Sequence, residues 1–367
     1  MSRENYVIFQ EGSIGKLTVK NRLVRSATCE YQMEADGRVT DKVLDVYRNL
    51  AQGGVGMIIT GLMAIHPRAK GVKGQICIYN EVCAAEASKI ADAVHQTDPS
   101  CRVIAQLCHP GRQITYENLM ADCVGPSEVE SPLLVRKARA LSVEEIESIV
   151  RNFIDAIDRA KQSGFDGVQL HAAHGYLLNS FLSPYTNRRT DEYGGSIENR
   201  VRIIKEIVLG AREKVGDFPI LIKINCDDHV EGGIRKEDLP EIIKEIEATG
   251  VDAIEVSGAM WDCLVHTKEE LGFVPIPLPE ARTQIKSLDK QSYYYDYVKN
   301  LRVSIPIILV GGHRNIERME TILQEGVVDF LSLSRPLIAE PELPNRWKQG
   351  IGNDNASCIS CNACIVY

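Results

Sequence analysis

No apolar run in this 367-residue chain approaches the roughly 18 residues a membrane-spanning helix needs. The first residues, Met1-Ser2-Arg3-Glu4-Asn5, carry no apolar core of a secretory signal, so a cytoplasmic location is expected. Basic charge is not in excess. With 42 Lys and Arg against 50 Asp and Glu, the formal net charge is −8, which argues against a nucleic-acid or acidic-membrane partner. There is no low-complexity linker and no G-x-G-x-x-G dinucleotide fingerprint. Cysteine is not scarce, at 11, but without an export signal these residues read as thiols rather than as a disulfide framework. Apolar residues make up 44% and charged residues 25%, ordinary for a globular protein with enough chain for a full core and no need of a metal or disulfide staple. These absences leave an enzyme acting on a small molecule.

What is present is a repeated junction in which a helical stretch ends near glycine and a short apolar run follows. Leu50–Gly54 leads into Val55–Gly61, Ala160–Gly164 into Phe165–His171, Ile246–Gly250 into Val251–Ser257, and Leu323–Gly326 into Val327–Leu333. Glycine closes a helix in a left-handed conformation, and β-branched residues then favour a buried strand. Ser142 and Glu145 form a capping box ahead of Ile146, Ile149, Phe153, Ile157 and Ala160 at helical spacing. Four further runs predict strands: Leu23–Ser26, Arg102–Gln106, Pro219–Ile224 and Pro306–Val310. Eight strands alternating with helices predict an α/β fold, a (β/α)8 TIM barrel. A doubly wound sheet is the rival, and the missing glycine fingerprint argues against it. The interval from Leu107 to Asp166 leaves room for one insertion, and Ser183–Arg200 predicts a capping insertion after strand 4.

In such a barrel, chemistry collects where the strands end. Strand one runs into Ser26-Ala27-Thr28-Cys29-Glu30-Tyr31, strand two into Thr60-Gly61, and strand three into Gln106-Leu107-Cys108-His109-Pro110-Gly111-Arg112. Strand four runs into His171-Ala172-Ala173-His174-Gly175-Tyr176, and strand five carries Lys223. Strands seven and eight end in Gly311-Gly312-His313 and Ser334-Arg335-Pro336. Backbone N–H groups at the Gly-Gly turn, with a guanidinium beside them, make a phosphate site. Gln106, Lys223 and the two histidines add fixed donors across the mouth, a combination that suits a phosphorylated planar cofactor.

The motifs carry a resemblance. Asn21–Thr28, Gln106–Arg112, His171–Leu178 and above all Phe181–Arg200 resemble the old yellow enzyme family of FMN-dependent oxidoreductases, nearest the branch with the barrel of 2,4-dienoyl-CoA reductases. The resemblance runs from about Phe9 to Trp347. It implies a single FMN-binding barrel over residues 1–350 and a cysteine-containing tail over 351–367. It also implies hydride transfer from NADH or NADPH to FMN, and from there to the β-carbon of an activated alkene such as an enone or dienoyl thioester. NADH oxidase, quinone reductase or nitro reductase chemistry on the same flavin is an alternative, and a metal-dependent barrel lyase or hydrolase is one from another class. Oligomers are common in the family, so a homo-oligomer is compatible with it.

By this resemblance His171 and His174 bind the substrate oxygen, where fixed N–H donors favour a developing enolate. Read from the residues alone, the same pair could hold a metal or sit satisfied in the core. Tyr176 is the candidate proton donor, its other reading being packing on a turn. Gln106 and Lys223 would meet the flavin pyrimidine edge. Lys223 stands where Arg is commoner, keeping the charge without the bidentate fork; by itself it would read as a solvated strand end. Ala27 and Thr28 fall within the flavin-binding segment. Cys29 would tune the flavin or be an inert buried thiol, and Tyr31 would line the substrate pocket. Gly61 would let backbone approach the flavin ring. Gly311, Gly312, Ser334 and Arg335 would hold its phosphate, a surface salt bridge being the plainer reading of Arg335. The tail Cys358-x2-Cys361-x2-Cys364 is similar to the start of an iron–sulfur motif but has one residue fewer between the second and third cysteines and no fourth. A vestigial tail is therefore expected over an iron–sulfur or zinc site.

Overall fold

Gly54, Gly164, Gly250 and Gly326, the four helix-ending glycines, have φ of 92°, 81°, 88° and 77°. That is the left-handed region in which a side chain is strained. Each turns the chain from a helix into a parallel strand. The computed structural model describes residues 2–34, 37–72, 74–114, 122–132, 137–276, 278–285 and 287–366. Its main sheet contains β1 (Leu23–Arg25), β2 (Met57–Ile59), β3 (Arg102–Cys108), β4 (Gly167–Ala172), β5 (Ile220–Asn225), β6 (Ala253–Ser257), β7 (Ile307–Val310) and β8 (Phe330–Leu333). Consecutive strands pair in parallel, and β8 pairs back onto β1, closing the (β/α)8 barrel. Helices α1 (Asp41–Gln52), α2 (Glu81–Thr97), α3 (Val143–Gln162), α4 (Ile197–Val215), α5 (Leu239–Glu247) and α6 (Ile316–Gln324) alternate with them. Ser142 and Glu145 form the expected capping box on α3.

Period-two alternation sorts each strand into an outer face against the helices and an inner face. Outward residues such as Leu23, Ile58, Val103, Ile222 and Leu331 join the large core with the helices. Inward residues stack in layers. Val24, Met57, Ile59, Ile104, Leu221, Ala253, Ile308 and Phe330 form an apolar floor with Ile14 and Val19 of an N-terminal hairpin, Gly12–Ile14 against Leu17–Val19. Two residues further along several of the same strands the inner face turns polar, with Ser26, Gln106, Lys223 and Glu255 all buried. The floor supports that polar layer from below.

The insertion between β3 and α3 contains the paired segments Val124–Gly125 and Arg139–Ala140; its residues 115–121 and 133–136 lie outside the described ones. After β4 a short helix, Leu177–Leu182, leads into the second insertion, which ends earlier than expected because Ser196 caps α4 and Arg200 lies in that helix. Asn187 ties this insertion together by donating to the Phe181 and Tyr193 carbonyls at 2.7 Å. Arg189 ties it to the first by donating to the Pro126 and Leu141 carbonyls.

The expectation of free thiols is corrected at one place: Cys77 and Cys83 form a disulfide, with Cα atoms 5.3 Å apart. The reason is local. Asn80 caps α2 by accepting from the Cys83 N–H at 2.8 Å, and this turn brings Cys83 back beside Cys77. Cys29, Cys101, Cys108, Cys226, Cys263, Cys358, Cys361 and Cys364 are free thiols. Among the described residues no helix is long and apolar enough to cross a membrane. The tail folds back on the barrel, with Ile316 N–H donating to the Asp354 carbonyl at 3.1 Å and Ala356 N–H to the Arg314 carbonyl at 2.7 Å.

Candidate active site

The C-terminal strand ends enclose a cavity of ≈ 460 Å³. Ala27, Thr28, Cys29, Tyr31, Gln106, His171, His174, Tyr176, Lys223, Gly311, Gly312, Ser334 and Arg335 all line it. Gly61 does not line it. A side chain there would meet Glu30 Oε2 at 2.6 Å and the Thr28 carbonyl at 2.9 Å, so this glycine admits the Thr28–Glu30 segment. Cys364 reaches the cavity wall, but among the described residues no three or more His, Cys, Asp or Glu side chains are grouped to hold a metal ion.

The polar layer beneath the cavity is one connected chain of hydrogen bonds. Gln106 Nε2 donates to Gln169 Oε1, and Gln169 Nε2 donates to Glu255 Oε2, both at 2.8 Å. Ser26 Oγ donates to Glu255 Oε1 at 2.9 Å. Lys223 Nζ donates to Ser26 Oγ at 3.0 Å and lies 3.4 Å from Glu255 Oε2. Lys223 is thus buried and paired, not a solvated strand end. Strand register explains the meeting, because Lys223 pairs with Glu255 on one side and His171 on the other. Glu255 and Gln169 escaped the reading of the sequence. Their signal was there: each is a polar residue on the inward phase of an apolar strand.

The His171 and His174 rings meet edge to face with centroids 5.3 Å apart, and His171 lies 4.6 Å from Tyr176. His174 adopts φ 61°, and its N–H donates to Asn225 Oδ1 at 3.1 Å, which turns its ring back over the barrel. His174 Nε2 is 2.8 Å from Ser257 Oγ, while its Nδ1 faces Glu280 Oε1 at 4.0 Å. His171 Nδ1 is buried with no partner among the described residues. Burial, with Lys223 adding, holds His171 well below the usual histidine range; burial, His171 and Lys223 do the same to His174. Both rings are therefore neutral donors and acceptors at neutral pH. Burial also raises the Tyr176 phenol well above its ordinary value, with Cys108 and Glu280 adding, so it keeps its proton. The Cys29 thiol is pushed up to about 12 by burial and is no thiolate at neutral pH.

At the opposite end, Gly311 and Gly312 have φ of 126° and 75°, and a side chain on either would strike Tyr293 or Tyr294 within 3.0 Å. Arg335 is buried and donates to the Ala281 and Arg282 carbonyls at 3.3 and 2.8 Å and to Asn362 of the tail. It is not a surface salt bridge. Arg314, Trp261 and Glu280 also line the cavity without having been singled out in the sequence. Arg314 donates to Cys358 Sγ at 3.2 Å, and its Nε has no partner among the described residues.

Comparison with known proteins agrees with this architecture. Residues 7–354 match the model of the NADH:flavin oxidoreductase / NADH oxidase family. The chain is 38% identical over 364 residues to an NADH oxidase of Thermoanaerobacter brockii, covering 98% of this chain and 53% of that protein. It is 30% identical over 351 residues to an NADPH dehydrogenase of Bacillus cytotoxicus, covering 95% and 94%. A 2-naphthoyl-CoA reductase solved with 2-naphthoyl-CoA superposes with a TM-score of 0.86 at 28% identity, over 97% of this chain and 54% of that one. The chain thus spans about half the length of several relatives it matches. With the barrel, the strand-end cavity and this match over most of its length, the chain belongs to the NADH:flavin oxidoreductase / NADH oxidase family, that of the old yellow enzymes.

Proposed function

We propose that the cavity binds FMN and serves an oxidoreductase that takes reducing equivalents from NADH or NADPH and reduces the carbon–carbon double bond of an activated alkene. The observation that carries this reading is the group of His171, His174 and Tyr176. It is a neutral imidazole pair with one buried unpaired nitrogen, beside a phenol that burial keeps protonated. FMN, when bound, supplies the centre that accepts hydride from the nucleotide and delivers it to the alkene.

The residues fit such a group. Gln106 and Lys223 present a donor amide and a cation for the pyrimidine edge, while the Gly311-Gly312 backbone, Ser334 and Arg335 offer donors and charge for a phosphate. Glu255 beside Lys223 fixes where that cation points. On the substrate side, a Ser257 hydroxyl donating to His174 Nε2 leaves the His174 proton on Nδ1, facing the cavity. His174 Nδ1 and the unpaired His171 Nδ1 then offer donors to a carbonyl or nitro oxygen. Such donors favour the charge that gathers on that oxygen as hydride reaches Cβ. Tyr176 delivers the proton to Cα, a role that requires it to stay protonated in the resting site.

The test is anaerobic. Protein loaded with FMN should lose its flavin absorption when NADH or NADPH is added and regain it with 2-cyclohexenone. Tyr176→Phe should slow the enone step by about 10²-fold or more while the nucleotide step continues. A variant in which both steps keep wild-type rates removes Tyr176 as the acid, and flavin that no enone reoxidises removes the alkene assignment.

A further inference from the structure

Glu280 is the carboxyl group lining the cavity, and the proposed chemistry leaves it unused. It comes from the long segment between β6 and β7, and that segment is pinned. The Tyr293 hydroxyl donates to the Glu280 carbonyl at 2.9 Å, and Arg335 holds the next two carbonyls. The Glu280 side chain lines the cavity with Oε1 4.0 Å from His174 Nδ1, and its buried Oε2 has no partner among the described residues. Among the described residues no Lys or Arg lies within ion-pair distance of it. Lys223 is matched by Glu255, and Arg335 by carbonyls and Asn362. Arg282, two residues on, turns away to stack over Phe273, 3.8 Å from its centroid, and over Tyr293 at 4.4 Å. Burial raises the Glu280 carboxyl to about 7, against the pull of its own backbone, Trp261, Lys223 and Arg335. Trp261 also lines the cavity; its buried indole N–H faces the Glu280 carboxyl and lowers that group's pKa without completing a hydrogen bond among the described residues, and its ring lies 6.1 Å from that of Tyr176.

We propose that Glu280 and Trp261 form a subsite for a cationic nitrogen on the substrate, beside the proton donor Tyr176. The inference rests on the reading of this cavity as the place where an activated alkene binds, and it names the class of alkene: one bearing an amine. A carboxylate and an aromatic wall without a resident cation are what an ammonium group selects, through a charge-assisted hydrogen bond and a cation–π contact. The same carboxylate repels an anionic substituent. Substrates ending in an amine are therefore favoured over neutral ones, and neutral ones over carboxylates.

The test uses three phenols of similar shape, whose oxygen occupies the histidine pair without turnover: tyramine, 4-ethylphenol and 3-(4-hydroxyphenyl)propanoate. Their dissociation constants on the oxidised FMN-loaded protein, at pH 8, are read from the perturbed flavin spectrum and by calorimetry. Tyramine should bind about tenfold or more tighter than 4-ethylphenol, about 1.4 kcal/mol, and the propanoate should bind weakest. Glu280→Gln should bring tyramine and 4-ethylphenol to within about twofold, while Glu280→Asp should keep part of the preference. A wild-type protein that ranks the three equally, or that binds none of them, overturns the proposal, as does an unchanged ranking in Glu280→Gln. Because binding is read without turnover, a failure of enone reduction on the same preparation counts against the alkene assignment and leaves the charge ranking to decide the subsite.

Discussion

Glu255 bears on the proposed chemistry without touching the cavity. It is fully buried, and it gathers Ser26, Gln169 and Lys223 on its two oxygens. Removing one partner of a buried pair leaves the other charge uncompensated. Glu255→Gln keeps the shape, exchanges one of the two accepting oxygens for a donor amide, and leaves Lys223 as an unmatched cation at the proposed pyrimidine edge. A free cation there favours the anionic reduced form, so the potential of bound flavin should rise. A tenfold gain in the preference for reduced flavin corresponds to about 30 mV for a two-electron couple. Redox titration against a dye of known potential measures it, and an unchanged or lower potential separates Glu255 from the flavin. Lys223→Arg, which restores the fork while keeping the charge, should move the potential far less.

At the scale of elements, most of the barrel was legible because its signals are local. Each helix-ending glycine and the apolar run after it stand within a dozen residues, and every expected strand is present in the barrel or nearly so. The floor hairpin was not legible, since two strands of three residues carry too little pattern. Of the candidate site, the strand-end residues were visible and the loop residue Glu280 was not. Its place is set by Tyr293 and Arg335, 13 and 55 positions away, and no periodicity in its own segment records that. One contact between elements carries a pH signature. His95, in the last turn of α2, lies 2.8 Å from Asp166 at the entry to β4, and Asp166 also accepts from the Val103 N–H at 2.8 Å. The hydrogen bond to Asp166 raises the His95 pKa against the effect of burial. A raised folded-state value means that the contribution to stability is complete below the unfolded pKa, about 6.5, and is lost as pH rises through the folded value. Thermal unfolding followed from pH 6 upward should therefore show a loss in the wild type that His95→Gln lacks. Parallel curves would mean the pair does not couple to folding.

At the scale of the whole molecule, Arg3 and residues 354–362 meet around the Gly311-Gly312 side of the cavity. Arg3, near the N-terminus, pairs with Glu317 of α6 and with Asp354, and residues 354–362 then cross the ends of β7 and β8. Two cationic side chains of the cavity are held by this crossing. Arg314 bonds Cys358, and Arg335 bonds Asn362, whose own amide donates to the Ala281 carbonyl at 2.6 Å. Asn362 has φ 61°, a conformation Asn tolerates better than most residues, and it is buried. The tail is thus a brace on Arg335, proposed to face the flavin phosphate, and on Arg314 in the same cavity wall, whatever its cysteines do. Asn362→Ala removes one hydrogen bond to a charged group, about 1.5–3 kcal/mol in ordinary cases, and frees the guanidinium to move. FMN affinity, measured by flavin fluorescence as the cofactor is titrated into stripped protein, should fall by about tenfold. Riboflavin, which has the ring but no phosphate, should lose far less. Equal losses for both would place the effect of Asn362 on the barrel mouth as a whole, and no loss for either would detach the tail from the cofactor end of the cavity.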